Sequence, residues 1–96
     1  MCRNIRVLLN FTPPTTEEEI RAAALQYVRK VSGTRKPSKA NQEIFDRAVD
    51  EIARITGHVV HGMETHSPPR TRENEAAKAK ARGAKRYALT TRREAS

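Results

Sequence analysis

The sequence predicts an all-α fold, built from an extended N-terminal arm, an antiparallel helical hairpin and a basic C-terminal helix. Two segments, 16–32 and 41–64, repeat apolar residues at steps of three and four, as one face of a helix does. Residues 68–96 carry nine Lys/Arg and three Asp/Glu, so they hold +6 of the net charge of +8. Only two of their residues, Tyr87 and Leu89, are large and apolar. Charge and core-forming side chains are therefore segregated along the chain.

The N-terminal arm spans residues 4–11, where every second residue is apolar: Ile5, Val7, Leu9 and Phe11. This period of two predicts an extended strand, although Ile5, Leu8 and Leu9 also suit a helix. A single strand has no predicted pairing partner inside this chain. It would have to lie on the helices or pair with a second copy. Pro13 and Pro14 end the arm, because proline removes backbone donors and restricts the residue before it.

The first helix is predicted over residues 16–32. Thr16 and Glu19 form a capping-box pattern, and three consecutive glutamates suit the positive end of the helix dipole. Gly33 is a typical C-terminal cap, with Arg29 and Lys30 in the last turn. One apolar face results, formed by Ile20, Ala23, Ala24, Tyr27, Val28 and Val31.

The second helix is predicted over residues 41–64, after a connector that contains Pro37, with Ser38 or Asn41 as its N-cap. Gly57 or Gly62 would end it earlier, but Val59 and Met63 continue the apolar spacing, which favours an end near residue 64. Its apolar face is formed by Ile44, Phe45, Ala48, Val49, Ile52, Ile55, Val59 and Met63. Two such faces joined by a short connector predict a helical hairpin.

The third helix is predicted over about residues 71–88, after Pro68 and Pro69. Alanine has the highest helix propensity, so this segment can be helical without strong packing. Its alanines recur at helical spacing and form a weak apolar face that is expected to dock loosely on the hairpin: Ala77, Ala81, Ala84 and Ala88. We therefore divide the chain into residues 1–67, the arm and hairpin, and residues 68–96, the basic helix and its frayed end.

Composition limits the class of protein. Ninety-six residues allow one small domain, and about 67 residues bury only roughly 60% of their unfolded surface. Apolar runs are too short to span a membrane, and the N-terminus lacks the apolar stretch of a secretion signal. The single cysteine, Cys2, cannot form an internal disulfide. These features predict a cytoplasmic protein that does not bind membranes.

Several short motifs in the N-terminal arm, the first helix and the connectors form a specific combination. They include the N-terminal Met1-Cys2-Arg3-Asn4-Ile5, the turn Phe11-Thr12-Pro13-Pro14 and Pro68-Pro69-Arg70. The first helix and connector contribute Glu18-Glu19-Ile20-Arg21-Ala22-Ala23-Ala24-Leu25-Gln26, Val28-Arg29-Lys30-Val31-Ser32-Gly33 and Lys36-Pro37-Ser38-Lys39-Ala40-Asn41. Together these motifs resemble the small bacterial family DUF2277, a domain of unknown function, and the resemblance covers roughly residues 1–88. It implies a bacterial, stand-alone, non-secreted protein. The family has no established activity or catalytic residues that could be assigned to this chain.

The charge distribution predicts binding to the backbone of RNA or DNA. The strongest group of candidate residues lies in the third helix: Lys78, Lys80, Arg82, Lys85 and Arg86. A second group of candidate residues lies around the hairpin turn: Arg35, Lys36 and Lys39. Favourable positive charge at the end of the first helix and solvation of the loop also explain the presence of these residues. Tyr87 is the only aromatic residue in the basic segment, so recognition of bases by stacking is expected to be poor.

The alternative hypothesis is a protein-interaction or self-association module that uses the apolar face of the hairpin, with the basic tail serving solubility. Enzyme function is not expected, because the sequence contains no phosphate-binding loop, dinucleotide-binding glycine motif or paired nucleophile and base. Cys2, His58, His61 and His66 match no standard zinc spacing. We therefore expect no metal, cofactor or catalytic residue.

Overall fold

The computed structural model describes the backbone of residues 5–95 and the side chains of residues 5–87. Within this part of the chain it contains α1 (Glu17–Ser32), α2 (Gln42–Gly62) and α3 (Arg72–Ala95), with a short 3-10 helix, Lys39–Asn41, before α2. No strand forms in the described range, so the predicted all-α class is confirmed. None of the described helices is long and apolar enough to cross a membrane.

The ends of α1 form as the sequence predicts. The Glu19 amide donates to Thr16 Oγ1 at 3.2 Å, and the Thr16 amide donates to Glu19 Oε1 at 3.0 Å, which completes the capping box. Gly33 ends the helix at φ 67°, in the left-handed region where a side chain is disfavoured. These local interactions explain why the sequence locates both ends of this helix.

The second helix continues through Gly57, as the apolar spacing predicts, and ends at Gly62, two residues before the predicted position. The Met63 amide donates to the Val59 carbonyl at 3.1 Å and closes the last turn. At the other end, neither Ser38 nor Asn41 provides the expected side-chain cap. The short 3-10 helix instead leads the backbone directly into α2.

The core lies between α1 and α2. Ile20, Ala24 and Val28 of α1 are buried, as are Phe45 and Val49 of α2. Contacts run in opposite order along the two helices: Arg21 pairs with Asp50 at 2.6 Å, and Glu17 lies 3.8 Å from His61. This is the order expected of antiparallel helices.

The N-terminal arm differs from the predicted strand. Residues 5–11 contain no strand, and Asn10 adopts φ 67°, which interrupts an extended backbone (Asn4 lies outside the described residues). Phe11 alone forms a parallel bridge with Arg70. The pairing partner that the sequence did not reveal therefore lies just before α3. Ile5 and Val7 remain exposed, so they do not cover the helices, which was one of the two placements expected of the arm.

Apart from the contacts of Arg72 in its first turn, the described part of the third helix packs against neither α1 nor α2. Its side chains from 76 to 87 are exposed, except at Gly83, so Ala77, Ala81 and Ala84 do not dock on the helix pair as expected. Ala88 lies beyond the described side chains. The radius of gyration is 17.1 Å, against about 13 Å for a compact domain of this length. The helix extends away because methyl groups alone bury too little apolar surface to hold it.

Candidate nucleic-acid interface

Arg72, in the first turn of α3, attaches the base of that helix to the start of α1. Its Nε and Nη2 donate to the two carboxylate oxygens of Glu19, at 3.0 and 2.6 Å. Its Nη1 donates to the Pro13 carbonyl at 2.9 Å, and its Nη2 also reaches the Pro14 carbonyl at 3.3 Å. The guanidinium carbon lies 5.3 Å from the centre of the Phe11 ring, within the range of a cation–π contact. One planar side chain therefore connects three parts of the fold.

Arg70 provides a second attachment. The Arg70 amide donates to the Asn10 carbonyl at 2.7 Å, and the Thr12 amide donates to the Arg70 carbonyl at 2.9 Å. The Arg70 guanidinium donates to the Leu9 carbonyl at 2.6 Å. The Asn10 side-chain amide reaches the Ser67 and Pro68 carbonyls, both at 3.1 Å. We call the contacts of Arg70 and Arg72 with residues 9–19 the clasp.

The clasp changes the acidity of Glu19. Hydrogen bonds from Arg72, and then the bond from the Thr16 amide, stabilise the carboxylate and lower the pKa of Glu19 from 4.5 to about 2. The same pairing raises the pKa of Arg72. Glu19 therefore has two roles: it caps the start of α1 and it binds Arg72 of α3.

The clasp should loosen in acid. Because the folded pKa of Glu19 lies below its unfolded value, its contribution to stability is complete above pH 4.5 and is lost as the pH falls towards 2. We expect lower protection of the Thr12 and Arg70 amides against hydrogen exchange as the pH falls through this window, measured by NMR at several pH values and corrected for the intrinsic exchange rate at each pH. A Glu19→Gln variant is the control, since it lacks this titration. Equal pH dependence in both proteins would contradict the assignment.

Beyond the clasp, α3 presents a concentrated cationic surface. Residues 76–87 contain five Lys/Arg and no Asp/Glu. At 100° per residue, four of them lie within an arc of about 100°, along about 12 Å of helix. We call these four residues the cationic face: Lys78, Arg82, Lys85 and Arg86. Lys80 lies on the opposite side of the helix, and Lys78 also pairs with Glu75 at 3.5 Å.

The second predicted group lies at the turn between α1 and α2. Arg35, Lys36 and Lys39 are all exposed, and the Arg35 carbonyl accepts a hydrogen bond from Arg29 Nε at 3.0 Å. The turn follows Ser32, whereas the clasp holds α3 at Glu19, about 20 Å away along α1. The structure therefore attaches α3 at the opposite end of α1 from this group.

Sequence reasoning missed Arg70 and Arg72 as structural residues because it counted them only as part of the basic segment. The signal available was Pro68-Pro69-Arg70, which the family resemblance includes. A proline pair before an arginine does not reveal which acid or carbonyl that arginine will meet. Contacts separated by more than 50 residues decide the role of both side chains.

The histidines form no recognisable metal centre in the described part of the chain, where no three His, Cys, Asp or Glu side chains converge. His58 and His61 instead line an open groove beside Glu17 and Gly57. Cys2 lies outside the described residues.

A family model described as "Uncharacterized conserved protein (DUF2277)" matches residues 1–78. The match includes the clasp and the start of α3, and it ends at the first lysine of the cationic face. No curated protein and no solved structure matches the chain.

Proposed function

Because the chain belongs to the DUF2277 family, whose description specifies no activity, we propose a function from its own geometry. We propose that it is a small, non-enzymatic cytoplasmic protein that binds the phosphate backbone of RNA or DNA through α3. The observation that supports this function most directly is the exposed cationic face on a helix whose first turn is fixed to α1 by Arg72.

Three features of α3 favour a polyanion as its partner. Residues 76–87 contain five Lys/Arg and no Asp/Glu, so this stretch of the helix has a net charge of +5. The helix holds the four residues of the cationic face along one side, so these side chains can contact successive phosphates. The clasp holds the base of the helix to α1, so the face is presented from a folded support rather than from a loose end. Backbone contacts of this kind release counterions and make affinity fall with added salt.

The residues available favour contact with phosphates over recognition of bases. Specific reading of bases needs side chains that bond to base edges or aromatic rings that stack on them. Apart from its Lys and Arg residues, which can also bond to guanine edges, the stretch between 76 and 87 offers mostly alanine, and Tyr87 is its only aromatic residue. We therefore expect similar affinity for different sequences of the same length.

The test is a truncation that ends after Glu75, so that Arg70 and Arg72 keep the clasp. The full chain and residues 1–75 are titrated against a labelled duplex DNA and an RNA hairpin at 0.05–0.3 M salt. We expect steeply salt-dependent binding by the full chain and loss of binding by the truncated protein, whose helix content confirms its folding. Equal affinity of the two proteins would overturn the proposal.

A second candidate function is a protein-interaction module that uses the apolar surface of the α1–α2 pair. A specific observation favours it: several large apolar side chains of this pair are exposed, although the sequence predicts them on its apolar faces. They include Tyr27 and Val31 of α1 and Ile44, Ile55 and Val59 of α2. In this function α3 contributes solubility.

A further inference from the structure

The exposed apolar side chains of α2 form one continuous stripe. Ile44, Ile55 and Val59 are 70%, 56% and 48% exposed, respectively. Together with Ala48 they lie within an arc of about 60° on the helix, beside the buried Phe45 and Val49. The half-buried Ile52 lies between the stripe and the core. The stripe extends along about 22 Å, so α1 covers only one part of a wider apolar surface.

The spacing of the stripe is symmetric about the point between Glu51 and Ile52. Ile44 and Val59 lie equally far from that point, and so do Ala48 and Ile55. If two copies of α2 align in opposite directions across a two-fold axis there, Ile44 meets Val59 of the second copy. The small Ala48 meets the large Ile55, which leaves room for close packing.

The charges beside the stripe fit the same arrangement. Arg47 and Glu51 lie on one margin and pair at 3.4 Å within the chain. An axis between Glu51 and Ile52 would place the two Glu51 side chains next to each other, and each keeps its own Arg47 as a partner, so the four charges of this margin sum to zero. The excess positive charge of the chain lies mainly in residues 68–96, and the described residues of α3 do not pack against α2. Repulsion between copies is therefore not concentrated at the stripe.

We infer that α2 is a homodimer interface, in which two copies pair antiparallel through the stripe of Ile44, Ala48, Ile55 and Val59. This inference deepens the second candidate function by specifying the partner. It does not depend on nucleic-acid binding. A second copy also supplies apolar contacts that a buried core of five apolar side chains lacks.

Disulfide crosslinking of the full chain, in a Cys2→Ser background without nucleic acid, tests the inference. We expect chains with Ile44→Cys to crosslink efficiently with chains carrying Val59→Cys, because the two positions meet across the axis. Ile44→Cys chains alone should not crosslink, since their cysteines would lie about 22 Å apart and a disulfide needs Cα atoms within about 7 Å. Efficient self-crosslinking of Ile44→Cys, or no crosslinking in the mixture, would overturn the antiparallel dimer.

Sedimentation of the cysteine-free protein at 0.5 M salt provides an independent measurement, because high salt weakens phosphate contacts but preserves apolar association. We expect a dimer, and an Ile44→Glu variant should be monomeric with unchanged helix content. Val7→Glu, at an exposed apolar residue outside the helices, is the control and should remain dimeric. A monomeric parent protein at high concentration would overturn the inference and leave the nucleic-acid proposal untouched.

Discussion

Replacing Lys78, Arg82 and Lys85 by Gln is expected to lower the affinity for duplex DNA on the order of 100-fold or more at 0.1 M salt. Each lost phosphate contact reduces the slope of log K against log salt by about 0.9, so three contacts reduce it by about 2.7. The three side chains lie on one face of a helix beyond the clasp. Their replacement should therefore leave the α1–α2 core unchanged. Fluorescence anisotropy over a range of salt concentrations measures both affinity and slope.

The turn between α1 and α2 provides a matched control. Replacing Arg35, Lys36 and Lys39 by Gln removes the same charge from an equally exposed part of the chain. If α3 is the interface, this variant should keep most of its affinity and its salt slope. Equal losses in the two variants would mean that overall charge, and not the arrangement on α3, determines binding.

Replacing Ile20 by Ala is expected to lower the free energy of unfolding by about 2–5 kcal/mol. Ile20 is completely buried, and a methyl group at Gly57 of α2 would lie 4.0 Å from its Cδ1 atom, so α2 approaches it closely. Few other apolar residues are buried in the described part of the chain, so little remains to compensate. Urea denaturation followed by circular dichroism measures the loss.

Val31→Ala is the control for this substitution. Val31 belongs to the same apolar face in the sequence but is 69% exposed in the structure. We expect a change within about 0.5 kcal/mol, as for other exposed positions. A loss comparable to that of Ile20→Ala would show that Val31 is buried in solution, for example by a second copy.

The sequence was most informative where structure depends on neighbouring residues. Thr16 and Glu19 meet within one helical turn, and Gly33 needs only its own backbone angle. The arm was predicted less well, because a period of two does not reveal the turn at Asn10 or the bridge from Phe11 to Arg70. The division of the chain near residue 68 stays a prediction, although the clasp connects the two parts.

In the candidate interface, too, the sequence revealed what depends on neighbouring residues and not what depends on distant ones. The sequence alone located the cations of α3, because the spacing of residues along a helix determines which of them share a face. Sequence could not show that the nearby Arg70 and Arg72 are engaged in the fold, since their partners lie more than 50 residues away. These two arginines therefore belong to the support of the interface, and a deletion intended to remove only the interface has to begin after Glu75.

The sequence by itself determined the all-α class, the ends of α1 and the concentration of positive charge after residue 68, because short-range hydrogen bonds and residue spacing decide these features. Only the tertiary structure decided which apolar residues are buried and how α3 is attached. Both depend on distant segments. The predicted apolar face of α2 is wider than the surface α1 can cover, so Ile44, Ile55 and Val59 stay exposed. The described alanines of α3, from 76 to 84, bury too little surface to dock, and the clasp fixes the start of that helix to α1.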